Sequence, residues 1–161
     1  KSAVERPWKR KFLGYTITMD KEPRLRASAQ SIGRLKDKLR AIFRRGRGGN
    51  MGRLIKEELN PVIRGWGSYF SLSRVKKIPE ELDFWIRRKL RCIIWRQMKK
   101  WKTRMRRLIE RGLDKKRARQ SVLNGRGAWW NAGAAHMNLA YPITYFNRLG
   151  LVNLMTKLTN S

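Results

Sequence analysis

Pro79-Glu-Glu-Leu-Asp-Phe-Trp-Ile-Arg-Arg-Lys-Leu-Arg-Cys-Ile-Ile-Trp-Arg-Gln-Met-Lys-Lys-Trp101 reads as one long helix. Proline suits a first helical turn, where its missing N–H has no partner to lose. Glu80, Glu81 and Asp83 complement the positive end of the helix dipole. Leu82, Ile86, Leu90, Ile93, Ile94 and Trp101 recur at helical spacing and form one apolar stripe. Arg87, Arg88, Arg91, Lys99 and Lys102 take most of the remainder, and no acidic residue lies between Asp83 and Glu110. A solvated helix face normally mixes both signs of charge, so this face points to a polyanion. The helix would span roughly 30 Å, about one turn of a nucleic-acid duplex. Trp95 lies opposite the stripe and is the expected aromatic contact, whereas Trp66, Trp85 and Trp101 are expected in the core.

Upstream, Lys11-Phe-Leu-Gly-Tyr-Thr-Ile-Thr18 is rich in β-branched and aromatic residues and predicts a strand. A turn at 20–23 and a short strand at 24–26 complete a hairpin over 10–26. A strand pair alone is marginal in water, so the expectation is a sheet that continues outside the chain. Ser28 is an N-cap for a helix to about Arg45, with Ile32, Leu35, Leu39, Ile42 and Phe43 inward. Gly46-Arg-Gly-Gly49 ends it, and Asn50 caps a second helix carrying Met51, Leu54, Ile55 and Leu59. Asn60-Pro61 is expected to interrupt that helix before Val62, Trp66, Tyr69 and Phe70 carry the apolar face onward. Gly65 and Gly67 cost helix stability and imply close approach of another backbone. Helices are expected at 103–111 and 114–123, stopped by Gly112 and Gly125. Residues 128–154 hold too much Asn, Gly and Pro for one helix. A loop and a short helix at 144–149 are expected there. The fold class is mainly α: a helical bundle preceded by a short β-hairpin.

The 161 residues carry 40 Lys and Arg against 11 Asp and Glu, a net charge of +29. Such a field opposes compaction and calls for a polyanionic partner, nucleic acid before an anionic membrane surface. Residues 1–50, 51–107 and 108–161 contribute +11, +12 and +6, yet Gly127 to Asn147 holds no Lys, Arg, Asp or Glu. That stretch carries Trp129, Trp130, Met137, Leu139, Tyr141, Tyr145 and Phe146, so a free tail is not expected. Burial in the core and a nucleic-acid contact are the two readings of it. One cysteine, Cys92, and one histidine, His136, exclude a disulfide framework and a zinc finger. No apolar run reaches transmembrane length. Asp20, Asp37, Asp83 and Asp114 are scattered, so no paired carboxylates stand ready for two-metal chemistry. No catalytic residue, metal ligand or cofactor site is expected in this chain. The candidate nucleic-acid-binding residues are Arg64, Arg87, Arg88, Arg91, Trp95, Arg96, Lys99, Lys100, Lys102 and Arg106. The chain starts at Lys1 and is expected to be a piece of something longer.

Leu59-Asn-Pro-Val-Ile-Arg-Gly-Trp-Gly-Ser-Tyr-Phe70 resembles the signature of the maturase-specific thumb, or domain X, of group II intron reverse transcriptases. Arg10-Lys-Phe-Leu-Gly-Tyr15 is similar to the last block of the palm of that family. Phe84-Trp-Ile-Arg-Arg-Lys-Leu-Arg91 and Trp95-Arg-Gln-Met-Lys-Lys100 resemble its next long helix. Gly127-Ala-Trp-Trp130 and Tyr145-Phe-Asn-Arg-Leu-Gly-Leu151 resemble the segment beyond the thumb. The resemblance implies a palm end at 1–26, a thumb at 27–123 and the start of a DNA-binding region at 124–161. It implies an RNA-directed DNA polymerase as the parent, with Mg²⁺ as its metal. The family's Tyr-Ala-Asp-Asp motif is missing, so this chain is expected to be inactive alone. The implied partners are intron RNA, the template–primer duplex, the rest of the reverse transcriptase and, additionally, target DNA, with no membrane. The implied location is bacterial cytoplasm or an organelle, in a nucleoid or ribonucleoprotein. A stand-alone helical DNA- or RNA-binding protein is the competing reading. An upstream Asp-Asp motif would favour the first, and an initiator Met just before Lys1 the second.

Overall fold

The computed structural model describes Arg6 and residues 9–159. Residues 1–5, 7, 8, 160 and 161, at the outer ends of the expected palm and C-terminal segments, lie outside the described residues. Strands β1 (Tyr15–Ile17) and β2 (Leu25–Ala27) pair antiparallel, with Tyr15 opposite Ala27 and Ile17 opposite Leu25. The first strand is shorter than expected because Leu13 (φ 49°) and Gly14 (φ 81°) leave extended space and fold Phe12 back onto Tyr15. The Gly14 carbonyl accepts from the Ser28 N–H (2.8 Å) and the Ser31 hydroxyl (3.0 Å), which seats the hairpin on the next helix. The Tyr15 hydroxyl donates to the Tyr69 carbonyl (2.7 Å), and the Tyr69 hydroxyl donates to that of Leu13 (2.9 Å). This reciprocal clasp leaves Tyr69 56% exposed and not on an apolar core face.

Helix α1 (Ala29–Arg45) starts where its cap requires: the Ser28 hydroxyl accepts from the Ser31 N–H, and Leu35, Leu39, Ile42 and Phe43 are buried. A 3₁₀ turn, Gly46–Gly48, follows. A Cβ at Gly46 would overlap the Leu54 side chain, so glycine is needed for close packing there. Asn50 caps α2 (Met51–Arg53), which passes through a π-helical stretch, Leu54–Leu59, into α3 (Asn60–Tyr69). The expected interruption at Asn60-Pro61 is absent. A proline ring clashes with the carbonyl four residues back in an α-helix. Here the Asn60 N–H bonds to the Ile55 carbonyl, five residues back, and the wider turn accommodates Pro61. Asn60 itself is buried and acts as a clamp: its amide donates to the Gly150 carbonyl (2.7 Å), and its oxygen accepts from the Val152 N–H (3.0 Å).

Helix α4 (Lys77–Gln97) stops before Trp101, because the Met98 backbone turns out of helical space. The helices α5 (Trp101–Glu110) and α6 (Lys115–Val122) follow; Gly112 and Gly125 adopt φ 104° and 68° at the stops. The loop expected after residue 128 is instead two helices, α7 (Ala128–Gly133) and α8 (Ala135–Ala140), followed by α9 (Ile143–Arg148) and α10 (Leu154–Thr159). Asparagine side chains make this possible. The buried Asn131 amide donates to the Arg126 and Gly127 carbonyls, and the Asn138 amide to those of Gly133 and Ala134. They satisfy turn carbonyls that would otherwise be stranded.

One core holds Leu39, Ile55, Leu59, Ile63, Ile86 and Leu90 together with Met137, Phe146, Leu151 and Leu154. The uncharged stretch is therefore split between core and surface: Met137, Tyr141 and Phe146 are buried, while Trp129, Trp130 and Leu139 are exposed. Asn131, Ala132, Met137 and Phe146 have no exposed surface. The close backbone approach expected at Gly65 and Gly67 is not found: a Cβ at Gly67 would meet only the Leu154 and Lys157 side chains of α10 at ordinary contact distance (3.4 Å and beyond), and a Cβ at Gly65 would meet open space.

Candidate nucleic-acid interface

The basic side chains of α4 divide between two faces. Asp83, at its start, is buried and accepts from the Leu154 (2.9 Å) and Met155 (3.0 Å) N–H groups at the start of α10. Burial still pushes its carboxyl above the usual range, against those two hydrogen bonds and the nearby Arg87 charge. Arg87 reaches the Asn153 carbonyl oxygen of the side-chain amide (3.4 Å). One turn further, Arg91 is 3% exposed. Its Nε donates to the Tyr141 carbonyl (2.8 Å), and its guanidinium lies 5.5 Å from the Phe146 ring centre. Burial, with a contribution from Arg87, lowers its pKa to about 10. A further turn on, Trp95 is 3% exposed, between His136 (5.6 Å) and the Arg104 guanidinium (4.6 Å). Arg91 and Trp95 therefore face the interior, not a ligand. The C-terminal helices cover the side of α4 that helical spacing leaves opposite the apolar stripe.

The other basic face lines a cleft. Arg40, Phe43, Arg44 and Arg47 form one wall, Lys89, Cys92, Ile93 and Arg96 the other, and Trp129 of α7 closes one side, around about 230 Å³. Among the described residues no acidic side chain lines it; Asp37 pairs with Arg40 (2.7 Å) from outside. Trp85 is half-buried beside Phe43, and Lys36, Arg40 and Lys89 each place a cation 5.6 Å from its ring centre. The Gln97 amide ties the 46–49 loop to α4 through the Arg47 (3.1 Å) and Gly49 (3.0 Å) carbonyls. Arg88 donates to the Trp129 carbonyl through Nε and Nη2 and stacks 4.1 Å over that ring, with Lys89 at 4.7 Å. A Cβ at Gly133 would meet the Arg88 guanidinium, which would have to swing away from its place on Trp129. The Lys89 ammonium is held below its ordinary pKa chiefly by burial; Cys92 opposes this, while Arg40, Arg96 and Arg47 add to it.

Of the other expected contacts, Arg96, Lys99, Lys100, Lys102 and Arg106 are exposed along the end of α4 and on α5. Arg64 is exposed on α3, away from α4 in the chain. The structure thus brings Arg96 to the cleft, while Arg88 does not line it and holds Trp129. It adds Arg40, Arg44, Arg47 and Lys89, which the acid-free run after Asp83 signalled only for Lys89. Trp101, expected in the core, is 48% exposed, because the break at Met98 rotates α5 away from the α4 stripe. His136 is buried between Trp95 and Trp130, and burial lowers its pKa. Among the described residues no three His, Cys, Asp or Glu side chains converge on a metal site. No described helix is long and apolar enough to cross a membrane.

Residues 32–112, half of the chain, match the model of the group II intron maturase-specific domain. They span α1 to α5 and both walls of the cleft, whose closing Trp129 lies beyond the match. No curated protein matches the chain. On that match, over the same residues whose helices build the bundle, the chain belongs to the group II intron maturase-specific domain family and has a maturase role in splicing.

Proposed function

We propose that this maturase domain binds folded intron RNA by its phosphates, through the cleft between α1, α4 and α7. The observation that carries this is the acid-free wall of Arg40, Arg44, Arg47, Lys89 and Arg96. Arg40 already pairs with Asp37 outside the cleft; the other packed cations are relieved of repulsion when phosphates enter, and each neutralised phosphate releases counterions. Arg88 and Trp129 position the wall, and the splicing chemistry belongs to the intron RNA whose fold the protein supports. If six to ten phosphates are engaged, affinity for a structured intron RNA falls roughly a thousandfold or more between 50 and 200 mM salt. Binding that is flat over that range refutes the reading. Arg44→Glu with Arg96→Glu is the site-specific test, with loss of RNA affinity as the expected result.

A second part of the reading, the thumb of a reverse transcriptase that also meets the template–primer duplex and target DNA, is favoured by the hairpin. Phe12 (78%), Leu13 (68%) and Leu72 (65%) are exposed beside a pair of three-residue strands. That surface suits the remaining palm and fingers as its neighbour. Phe12→Glu with Leu72→Glu is expected to spare RNA binding by this chain and to abolish reverse transcription by the full-length parent. Retained polymerisation in that variant refutes it.

A further inference from the structure

We propose that the outer face of α5 is a second nucleic-acid site, in which Trp101 stacks on an unpaired base. The proposal rests on the reading of the chain as a nucleic-acid binder but uses a different surface. Helix α5 turns Leu108 and Arg104 inward, the latter onto Trp95. Trp101, Met105 and Ile109 recur every four residues on the opposite side, and Trp101 (48%) and Ile109 (40%) are exposed. With Lys102, Arg106 and Glu110 they line a shallow groove of about 410 Å³. No residue lines both this groove and the cleft.

Charge decides the occupant. Lys102 and Arg106 line the groove, Lys99 and Lys100 precede it in sequence and are exposed, and the carboxylate of Glu110 is shared between Arg106 and Arg107, each at 3.7 Å. A second copy of a +29 chain would be repelled from these cations. A nucleic-acid strand supplies both phosphates for the cations and flat π-faces for the floor. Among the described residues the other exposed tryptophans are already engaged. Trp129 has Arg88 at 4.1 Å and Lys89 at 4.7 Å, and Trp130 has Arg126 at 5.1 Å with His136 alongside. Trp101 has the ammonium of its neighbour Lys102 at 5.7 Å, on a flexible stem that can turn to a phosphate. Its ring is the platform open to a base.

The test measures binding of the full chain to a single-stranded oligouridine and to a blunt RNA duplex of equal length. Trp101→Ala is expected to weaken oligouridine binding roughly tenfold and to leave duplex binding and thermal unfolding unchanged. Trp101→Leu, which keeps apolar bulk without a π-face, is expected to lose the same affinity, and Trp101→Phe to recover most of it. Unchanged oligouridine binding in the Ala and Leu variants overturns the proposal and leaves the groove to a protein partner; so does equal loss on oligouridine and duplex. Arg44→Glu with Arg96→Glu is expected to weaken the duplex and spare the Trp101-dependent part of oligouridine binding. A chain that binds oligouridine through Trp101 but no folded RNA at the cleft would refute the cleft and retain this site.

Discussion

Arg91 and Arg96 sit five residues apart on one helix, and their surroundings are opposite. Arg91 is sealed under α8 and α9, with its Nε on a backbone carbonyl and its guanidinium near an aromatic face. Arg96 opens onto a cleft shared with three other arginines and a lysine. The difference is made by the uncharged stretch from Gly127 to Asn147, which covers one side of α4 and only edges the other with Trp129. A buried arginine is tolerable because its long stem packs as a hydrophobe while its head finds an acceptor. In the exposed cluster Arg40 bonds Asp37 outside the cleft, and no acidic side chain among the described residues lines the wall, which leaves it open to an anionic ligand.

The most severe way to break the contrast is to remove the cover. Truncation after Asn124 deletes Met137, Phe146, Leu151 and Leu154 from the core and exposes Arg91 and Trp95. We expect loss of cooperative thermal unfolding or insolubility. A truncated protein that melts like the parent would show that the cover is dispensable. Less severe is a cavity in the stripe. Ile93→Ala should cost about 2–5 kcal/mol in denaturant unfolding; a cost below 1 kcal/mol, roughly the scale of a surface change, would deny Ile93 its place in the core.

Arg91→Ala comes next. It leaves the Tyr141 carbonyl without its donor and should cost about 1–3 kcal/mol. The same change at Arg44 or Arg96 should stay within about 0.5 kcal/mol. Binding should reverse the order: Arg44→Ala with Arg96→Ala lowers the salt slope by about two contacts, and Arg91→Ala leaves it unchanged. Equal stability costs at Arg91 and Arg96 would erase the distinction between the two faces.

The smallest effects are in pH, and their signs differ. Asp83 has a raised folded pKa, so the stability it contributes is complete below 3.8 and is lost as pH rises through the folded value. His136 has a lowered folded pKa, so stability is lost as pH falls from 6.5 through the folded value. Chemical denaturation across pH should show Asp83→Asn flattening the first slope and His136→Gln the second. Slopes unchanged by both substitutions would remove these groups from the pH response.

Much of the fold was readable because local chemistry dictated it. Ser28 and Asn50 each cap the helix expected of them. Asn60-Pro61 was misread as a break, because a proline rule framed on the α-helix ignores the π turn that a buried, clamped asparagine can stabilise. The candidate site was legible in its charge but not in its membership. Trp95 and Trp101 exchange their expected places: period alone cannot tell a face covered by solvent from one covered by residues 40 to 50 positions later. Arg40, Arg44 and Arg47 join the cleft across a chain separation that no window of sequence spans.

The resemblance of the stretch from Leu59 to Phe70 implied the maturase family; composition and spacing were sufficient for a mainly helical bundle with a short hairpin and a surplus of positive charge. These last two depend on hydrophobic period, on caps and on counts, which act within a few residues or need no geometry at all. The tertiary structure alone decided which arginines are sealed, which form a cleft, and which tryptophan faces outward. Those outcomes depend on how α7 to α10 dock onto α4, and docking is a sum of non-local contacts in which one cover segment reassigns every side chain beneath it.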